Sequence, residues 1–247
     1  MDKTKKLSAI ILVAGRGKRI SKYTNKPKCL LNIQNQSILE RNIKFLNRIN
    51  IKKIYIVVGY KSTLIKNETK KIISKSNILF VYNKKYLTHG NCYSLKLGLK
   101  KIKDDAIYID GDVVYNEKIL QNYVKNKNLN SILIGNGDKK DVECAKVFGS
   151  QNLVKRIIEK RIFHEDNYKF LGEAIGINKI SKSQIKKFLK ISNKIFKNKK
   201  NLNLNWDTFY DRYFVNKLPI KYFKSNNNEW VEIDTYEDFK KAKKIIK

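Results

Sequence analysis

Cysteine, histidine and proline are scarce, since the 247 residues include three cysteines, two histidines and two prolines. The cysteines, Cys29, Cys92 and Cys144, lie far apart, so neither a disulfide framework nor a zinc site is indicated, and we expect reduced thiols. The histidines, His89 and His164, are too few and too separated for a metal cluster, and no Ser/His/Asp arrangement stands out. The sequence therefore disfavours zinc and serine-hydrolase chemistry.

Long apolar runs are also missing, because no stretch of about 18 apolar residues occurs and the N-terminus lacks a small-residue cleavage site. We therefore expect a cytoplasmic protein without a membrane partner. Hydrophobic residues make up 42% of the chain, enough for one sizeable core. No repeat or linker is visible, so we expect a single domain over residues 1–247.

Acidic residues are few: the chain has 22 Asp and Glu but 54 Lys and Arg, which gives a formal net charge of +32. Such a charge could indicate nucleic-acid binding, because lysines release counterions when they meet phosphates. However, lysine is spread along the whole chain beside abundant Asn and Ile, as AT-rich coding would also produce, and no recognisable nucleic-acid module accompanies it. We disfavour a nucleic-acid partner and retain it as an alternative of another class.

Apolar runs alternate with longer periodic segments in the first half of the chain. The predicted strands span 7–14, 53–58, 77–82 and 105–110, and the predicted helices span 37–49, 61–75 and 92–102. Ser37 and Glu40 form a capping box at the start of the first helix. This alternation predicts a parallel sheet, and ligands of such sheets bind at the carboxyl ends of the strands.

The pattern becomes less regular after residue 130. Short strands are predicted at 131–135, 144–148, 153–158 and 173–180, followed by two helical stretches and a final strand and helix. The predicted fold class is α/β, with a Rossmann-like mixed, mostly parallel sheet flanked by helices and a small lobe in the second half.

A glycine-rich turn, AGRGKR at 14–19, directly follows the first predicted strand. Its glycines let backbone amides approach a phosphate, and its basic side chains add positive charge. It is not a dinucleotide fingerprint, because Ile20 stands where the third glycine would be, and it is not a Walker loop. Lys28 follows Pro27 a short loop later and can reach back to the turn, although it could equally be one of many surface lysines.

Aspartates follow two other predicted strands. YIDGDVVY at 108–115 carries Asp110 and Asp112, and EWVEIDTYEDF at 229–239 carries Asp234. Carboxylates at the mouth of the crevice can hold Mg²⁺, which prefers hard oxygen ligands. The alternatives are an Asp-Gly turn for the first segment and helix capping for the second.

The segments AIILVAGRGKR, KPKCLLNI and ILERNIKFL resemble the opening of the nucleoside-diphosphate-sugar pyrophosphorylase and cytidylyltransferase superfamily, and the resemblance covers nearly the entire chain. It implies that Gly15, Gly17 and Arg19 bind a nucleoside triphosphate. It also implies that Lys28 stabilises the charge on the α-phosphate, so Arg19 and Lys28 are the candidate catalytic residues. The chain departs from the family at Lys18, where many members have Ser or Thr, and in a short loop after Arg19.

Further residues receive roles through the same resemblance. Asp112 and Asp234 are the expected Mg²⁺ ligands. The candidate nucleotide-binding residues are Ala14, Gly15, Gly17, Lys18, Asn91, Ser94 and Asp110. For Asn91, plain initiation of a helix is the alternative.

The short chain with AGRGKR and PKCLL looks more like the small-acceptor cytidylyltransferases than like the longer sugar-1-phosphate enzymes of the superfamily. The members that it resembles most act on phosphocholine, 2-aminoethylphosphonate or related amine-bearing phosphates, so the implied donor is CTP. A sugar-1-phosphate nucleotidyltransferase using UTP, dTTP or GTP is the alternative within enzymes, and a catalytically silent nucleotide sensor is another. The acceptor and the oligomeric state stay open, a homodimer included.

Carboxylates and indoles in the second half offer a physical reason for an amine, because each cation-π contact contributes about 0.5 to 2 kcal/mol. The candidate acceptor-binding residues are Glu173, Trp206, Asp207, Trp230 and Glu232. Burial of both tryptophans in the core is the alternative. We interpret residues 1–130 as the nucleotide-binding half and residues 131–247 as the acceptor-binding half.

Overall fold

A computed structural model describes residues 7–143, 145–158 and 167–245. Cys144 and His164 lie outside the described residues. The strands are β1 Leu7–Val13, β2 Asn32–Ile33, β3 Gln36–Ser37, β4 Lys53–Val58, β5 Asn77–Tyr82, β6 Asp105–Asp110, β7 Val113–Tyr115, β8 Ser131–Gly135, β9 Lys146–Ser150, β10 Leu153–Ile158, β11 Lys169–Ile180, β12 Lys221–Lys224 and β13 Trp230–Glu232. The helices are α1 Ile38–Arg48, α2 Ser62–Lys70, α3 Asn91–Leu99, α4 Glu117–Lys125, α5 Lys182–Ile195, α6 Trp206–Tyr213 and α7 Tyr236–Ile245.

Nine strands form one sheet in the order β5-β4-β1-β6-β11-β8-β12-β10-β9. The strands β5, β4, β1 and β6 run parallel to one another. Strand β11 then pairs antiparallel with both β6 and β8, and β10 pairs antiparallel with β9. The predicted mixed α/β class is confirmed. The parallel part lies mainly in the first half of the chain, and the strands after residue 130 extend the same sheet.

Strand β1 lies at the centre, and all seven of its residues are buried. Successive side chains of a strand point to opposite faces of the sheet. Accordingly, Ile10 and Leu12 pack with α3, α5 and α6, whereas Ala9 and Ile11 pack with α1 and α4. This two-sided burial explains why β1 reads as a continuous apolar run in the sequence.

The predicted cap of α1 is present, because Ser37 Oγ accepts a hydrogen bond from the backbone N–H of Glu40 at 3.1 Å. The elements β7, α4 and β12 were not predicted. Strands β7 and β12 have three and four residues, too few to show a period of two. No helix in the described parts of the chain has the length and hydropathy needed to cross a bilayer.

Two pairings bring distant segments to one edge of the sheet. Strands β1 and β6 are parallel, with Leu12 opposite Asp110, so the turn after β1 and the Asp-Gly turn after β6 emerge side by side. Strand β13 pairs antiparallel with β7, and the N–H of Ile233 donates to Asp112 O at 2.9 Å. The residue after Ile233, Asp234, therefore lies next to Asp112.

Candidate active site

The glycine-rich turn is shaped by Gly17, whose φ of +60° lies in the left-handed region. A Cβ on Gly17 would lie 2.8 Å from Lys28 Cγ, so the missing side chain leaves room for the lysine to cross the turn. Lys28 begins a single 3-10 turn, Lys28–Leu30, directly after Pro27. The structure thus brings Lys28 against the turn from which it is separated in sequence.

The Lys28 ammonium bridges two carboxylates. Its Nζ lies 3.0 Å from Asp112 Oδ2 and 2.7 Å from Asp234 Oδ1. Burial by itself would lower the pKa of Lys28, but attraction to Asp112 and Asp234 outweighs burial, so its pKa is raised. The lysine stays charged at any physiological pH and compensates negative charge at this point.

Arg19 contacts the same group of charges. Its Nη2 lies 2.8 Å from Asp234 Oδ2, and its Nη1 lies 3.1 Å from Glu143 Oε2. Arg19, Lys28, Asp112 and Asp234 are therefore neighbours, although more than 200 residues separate the first from the last. Lys18, by contrast, is exposed, and its carbonyl accepts from Ser21 Oγ at 2.9 Å.

Three carboxylates are placed to hold a metal ion. Asp112, Glu232 and Asp234 each offer an oxygen, and these oxygens lie within 4.8 Å of one another. Magnesium prefers such hard oxygen donors, and the Lys28 ammonium already lies between two of these carboxylates, so the site accommodates positive charge. Glu232 was predicted to bind the acceptor. Its place beside the two aspartates follows from the β7–β13 pairing, which the sequence pattern did not indicate.

A cleft of about 160 Å³ opens beside the turn, and we name it the nucleoside cleft after the expectation that its residues bind a nucleotide. Among the residues that line it are five of the predicted nucleotide-binding residues: Ala14, Gly15, Asn91, Ser94 and Asp110. Within α3, Ser94 Oγ accepts from Asn83 Nδ2 at 2.9 Å, and Asn91 Oδ1 accepts from the backbone N–H of Trp206 at 2.8 Å. Both side chains thus also hold the cleft wall in place.

Two ring-bearing residues that were not predicted, Tyr86 and His89, also line the nucleoside cleft. Tyr86 packs on Gly59, where a Cβ would come within 2.7 Å of the tyrosine Cβ. Burial lowers the pKa of His89, and the ammonium groups of Lys85 and Lys96 lower it further, so the imidazole is neutral near pH 7. Both residues follow β5, and loops at the carboxyl ends of strands carry ligand-binding residues. Their position in the sequence could therefore have indicated that they line the cleft.

The predicted acceptor-binding residues are divided between two clefts. The Trp206 cleft, of about 340 Å³, is lined by Asp110, Trp206 and Asp207 among others. The Trp230 cleft, of about 550 Å³, is lined by Glu173 and Trp230 among others. Arg19, Glu232 and Asp234 line both. The clefts therefore meet at the carboxylate cluster.

Asp110 lines both the nucleoside cleft and the Trp206 cleft. The Trp206 indole donates from Nε1 to Asp110 Oδ2 at 2.8 Å. Burial raises the pKa of the Asp110 carboxyl well above its ordinary value, and the neighbouring Asp112 raises it further. Trp206 is 4% exposed and makes edge contacts with Tyr108 and Tyr210, so this indole belongs to the core as well as to the cleft wall.

A mixed sheet with a glycine-rich, basic turn and clustered carboxylates at one strand edge is typical of enzymes that act on nucleotides. Residues 9–159, more than half of the chain, match the MobA-like NTP transferase domain. The chain therefore belongs to the MobA-like NTP transferase family and is a nucleotidyltransferase.

Two relatives align along nearly their whole length. The choline-phosphate cytidylyltransferase of Streptococcus pneumoniae is 25% identical over 244 residues, which cover 98% of this chain and 99% of that protein. The CTP:phosphoglutamine cytidylyltransferase of Campylobacter jejuni is 27% identical over 254 residues, which cover 92% and 93%. The solved structure of the CTP:phosphocholine cytidylyltransferase from Streptococcus pneumoniae superposes with a TM-score of 0.75 at 23% identity, covering 98% of this chain and 100% of that one. The fold is shared throughout.

Proposed function

We propose that the protein is a CTP-dependent cytidylyltransferase that transfers CMP to a small, amine-bearing phosphorylated or phosphonate acceptor and releases pyrophosphate. The observation that carries this proposal is the contact of Arg19 and Lys28 with Asp112 and Asp234, where the nucleoside cleft meets two clefts with acidic walls. The two aligned cytidylyltransferases, which by name act with choline phosphate and phosphoglutamine, support CTP as the donor.

The transfer needs no covalent enzyme intermediate. A phosphate or phosphonate oxygen of the acceptor forms a bond to the α-phosphorus of CTP. The bond from this phosphorus to the oxygen that bridges to the β-phosphate breaks, and its electron pair leaves with pyrophosphate. Because the attacking oxygen is already anionic, no general base is required, and catalysis comes from positioning and charge neutralisation.

The residues of the turn, together with Lys28, supply both the positioning and the charge neutralisation. The backbone amides at Gly15 and Gly17 can approach the triphosphate closely, because neither residue carries a side chain. Lys28 and Arg19 then neutralise charge that develops on the α-phosphate in the transition state. The ordered ion pairs of both residues keep them at this edge of the sheet before substrates bind.

Asp112, Glu232 and Asp234 would hold the magnesium ion that we propose as cofactor. When bound, magnesium supplies positive charge that neutralises phosphate oxygens. The position of the three carboxylates between the nucleoside cleft and the two other clefts fits a role where the donor and acceptor phosphates meet.

A single assay matrix tests the proposal. Pyrophosphate release is followed with each of four NTPs against phosphocholine, 2-aminoethylphosphonate, an amino-acid-derived phosphate and several sugar 1-phosphates, at saturating Mg²⁺. We expect release with CTP and an amine-bearing acceptor. Release only with UTP, dTTP or GTP and a sugar 1-phosphate would favour the sugar-nucleotide alternative. Steeply salt-dependent nucleic-acid binding without turnover would favour a binding protein.

A further inference from the structure

The Asp110 carboxylate stands where the nucleoside cleft and the Trp206 cleft share a wall. Its hydrogen-bond partner is the Trp206 indole N–H, at 2.8 Å from Oδ2. No lysine, arginine or histidine of the described chain forms an ion pair with it. The indole N–H is a neutral donor, so this largely enclosed carboxyl group has no cationic partner among the described residues.

Other negative charges surround the same space. Asp207 and Glu232 line the Trp206 cleft with Asp110, although the chain has only 22 acidic residues and a net charge of +32. Arg19, the one arginine among the described residues of this lining, is engaged by Glu143 and Asp234. A positively charged ligand that enters the cleft would therefore be attracted by the carboxylates that line it.

The walls around Asp110 suit a small, hydrogen-bonding cation. On one side lies Gly176, where a Cβ would come within 2.9 Å of Asp110 Oδ2. On the other side Trp206 is 4% exposed and is packed edge-on against Tyr108 and Tyr210, with ring centroids 5.9 and 5.7 Å apart. Within the described lining, Trp206 is the sole aromatic residue, and the other ten residues are two asparagines, three small residues and five charged residues.

These walls distinguish two kinds of ammonium group. A quaternary ammonium has no N–H bonds and is recognised mainly by aromatic faces. A carboxylate instead binds an N–H ammonium directly, through charge-assisted hydrogen bonds of about 2.7 to 2.9 Å. Methyl groups on the nitrogen would hold its charge away from Asp110 and leave the carboxylate without a hydrogen bond from the ligand.

The geometry points to an acceptor whose cationic group is an ammonium with N–H bonds, held by Asp110 in the Trp206 cleft, so that Asp110 selects it over a quaternary ammonium. This inference rests on the proposed transfer of CMP to an amine-bearing acceptor. It differs from the activity that the name of the Streptococcus pneumoniae relative describes, since choline is a quaternary ammonium.

A methylation series tests the inference on the unmodified protein. Phosphoethanolamine, its N-methyl and N,N-dimethyl derivatives and phosphocholine are compared as acceptors with CTP and Mg²⁺, and kcat/KM is measured from pyrophosphate release. We expect kcat/KM to fall along the series, by about 10-fold to 100-fold from first to last, because charge-assisted hydrogen bonds are lost.

The variant Asp110→Asn assigns the selectivity to one residue. Its carboxamide oxygen can still accept from Trp206, but its charge is removed, so the ratio of kcat/KM between phosphoethanolamine and phosphocholine should fall to within about threefold. The acceptor 3,3-dimethylbutyl phosphate, whose tert-butyl group carries no charge, makes no ion pair with Asp110, so its change in kcat/KM measures any general effect of the variant on the reaction centre. Glu237→Gln removes an exposed carboxylate of α7 and should keep the wild-type ratio.

Three outcomes would overturn the inference. Phosphocholine used as well as phosphoethanolamine by the wild type would refute it and leave the proposed cytidylyl transfer standing. A wild-type ratio in Asp110→Asn would refute the assignment to this residue. Reaction with a sugar 1-phosphate but with no member of the series would refute the proposed function as well. If Asp110→Asn does not fold, the methylation series measured on the wild-type protein still tests whether an ammonium with N–H bonds is preferred.

Discussion

At the scale of single residues, the role of a charged side chain depends on the groups that it contacts. The chain has 54 lysines and arginines, yet Lys28 differs from an ordinary surface lysine in bridging Asp112 and Asp234 at 3.0 and 2.7 Å. Gly17 makes this placement feasible, since any Cβ there would meet the lysine side chain. Gly17, which has no side chain, thus determines where the Lys28 ammonium lies.

Asp112→Asn and Asp234→Asn should each lower kcat by at least about 100-fold at saturating Mg²⁺, because each removes a charged oxygen ligand from the proposed metal site. Thermal melts and circular dichroism should show that both variants are folded. Asp138→Asn, which removes an exposed carboxylate, is the matched control. Wild-type rates in either site variant would refute the metal assignment.

At the scale of elements, the segment after Arg19 and the start of α7 are joined by an aromatic stack. The Tyr23 and Tyr236 rings have centroids 5.0 Å apart and an interplanar angle of 18°, although Tyr23 is 66% exposed. The same two segments are joined by the ion pair between Arg19 and Asp234. The stack therefore helps to hold the basic turn in register with the carboxylates.

Tyr23→Ala should reduce kcat/KM for CTP by about 3-fold to 10-fold, in line with the energy of one partly exposed aromatic pair. Tyr23→Phe should restore it, because the ring rather than the hydroxyl makes the contact. Adding Tyr236→Ala to Tyr23→Ala should cause little further loss. Tyr82→Ala, at another exposed tyrosine, serves as the control. Equal losses in all the alanine variants would show a general effect on stability instead.

At the scale of the whole molecule, the charge distribution is uneven. The chain has a formal net charge of +32, whereas eight of its 22 acidic residues line the Trp206 and Trp230 clefts. A basic exterior attracts a triphosphate from a distance, and acidic cleft walls favour a cationic group on the second substrate.

Salt should therefore weaken the capture of the nucleotide more than the chemical step. Between 50 and 500 mM NaCl we expect kcat/KM for CTP to fall by about 3-fold to 10-fold while kcat stays nearly constant, because screening shortens the range of the protein's field. Steady-state kinetics at fixed Mg²⁺ measure this. An unchanged kcat/KM over the whole salt range would show that the net charge has no part in nucleotide binding.

Local sequence alone determined much of the architecture and part of the site. The buried strand β1, the capped helix α1 and the parallel strands β4, β5 and β6 all follow from periodicity and capping, which act between near neighbours in the chain. The turn after β1 and the aspartates at strand ends were recognisable for the same reason, because a residue type and a chain position suffice to predict them.

Only the tertiary structure decided which distant groups meet. The short β7–β13 pairing places Glu232 beside Asp112, and the packing of α6 under β6 turns Trp206 towards Asp110. The same long-range packing assigns Trp206 and Trp230 to separate clefts. Contacts of this kind join residues about 100 positions apart and depend on how the whole sheet is assembled, so no local pattern of residues records them.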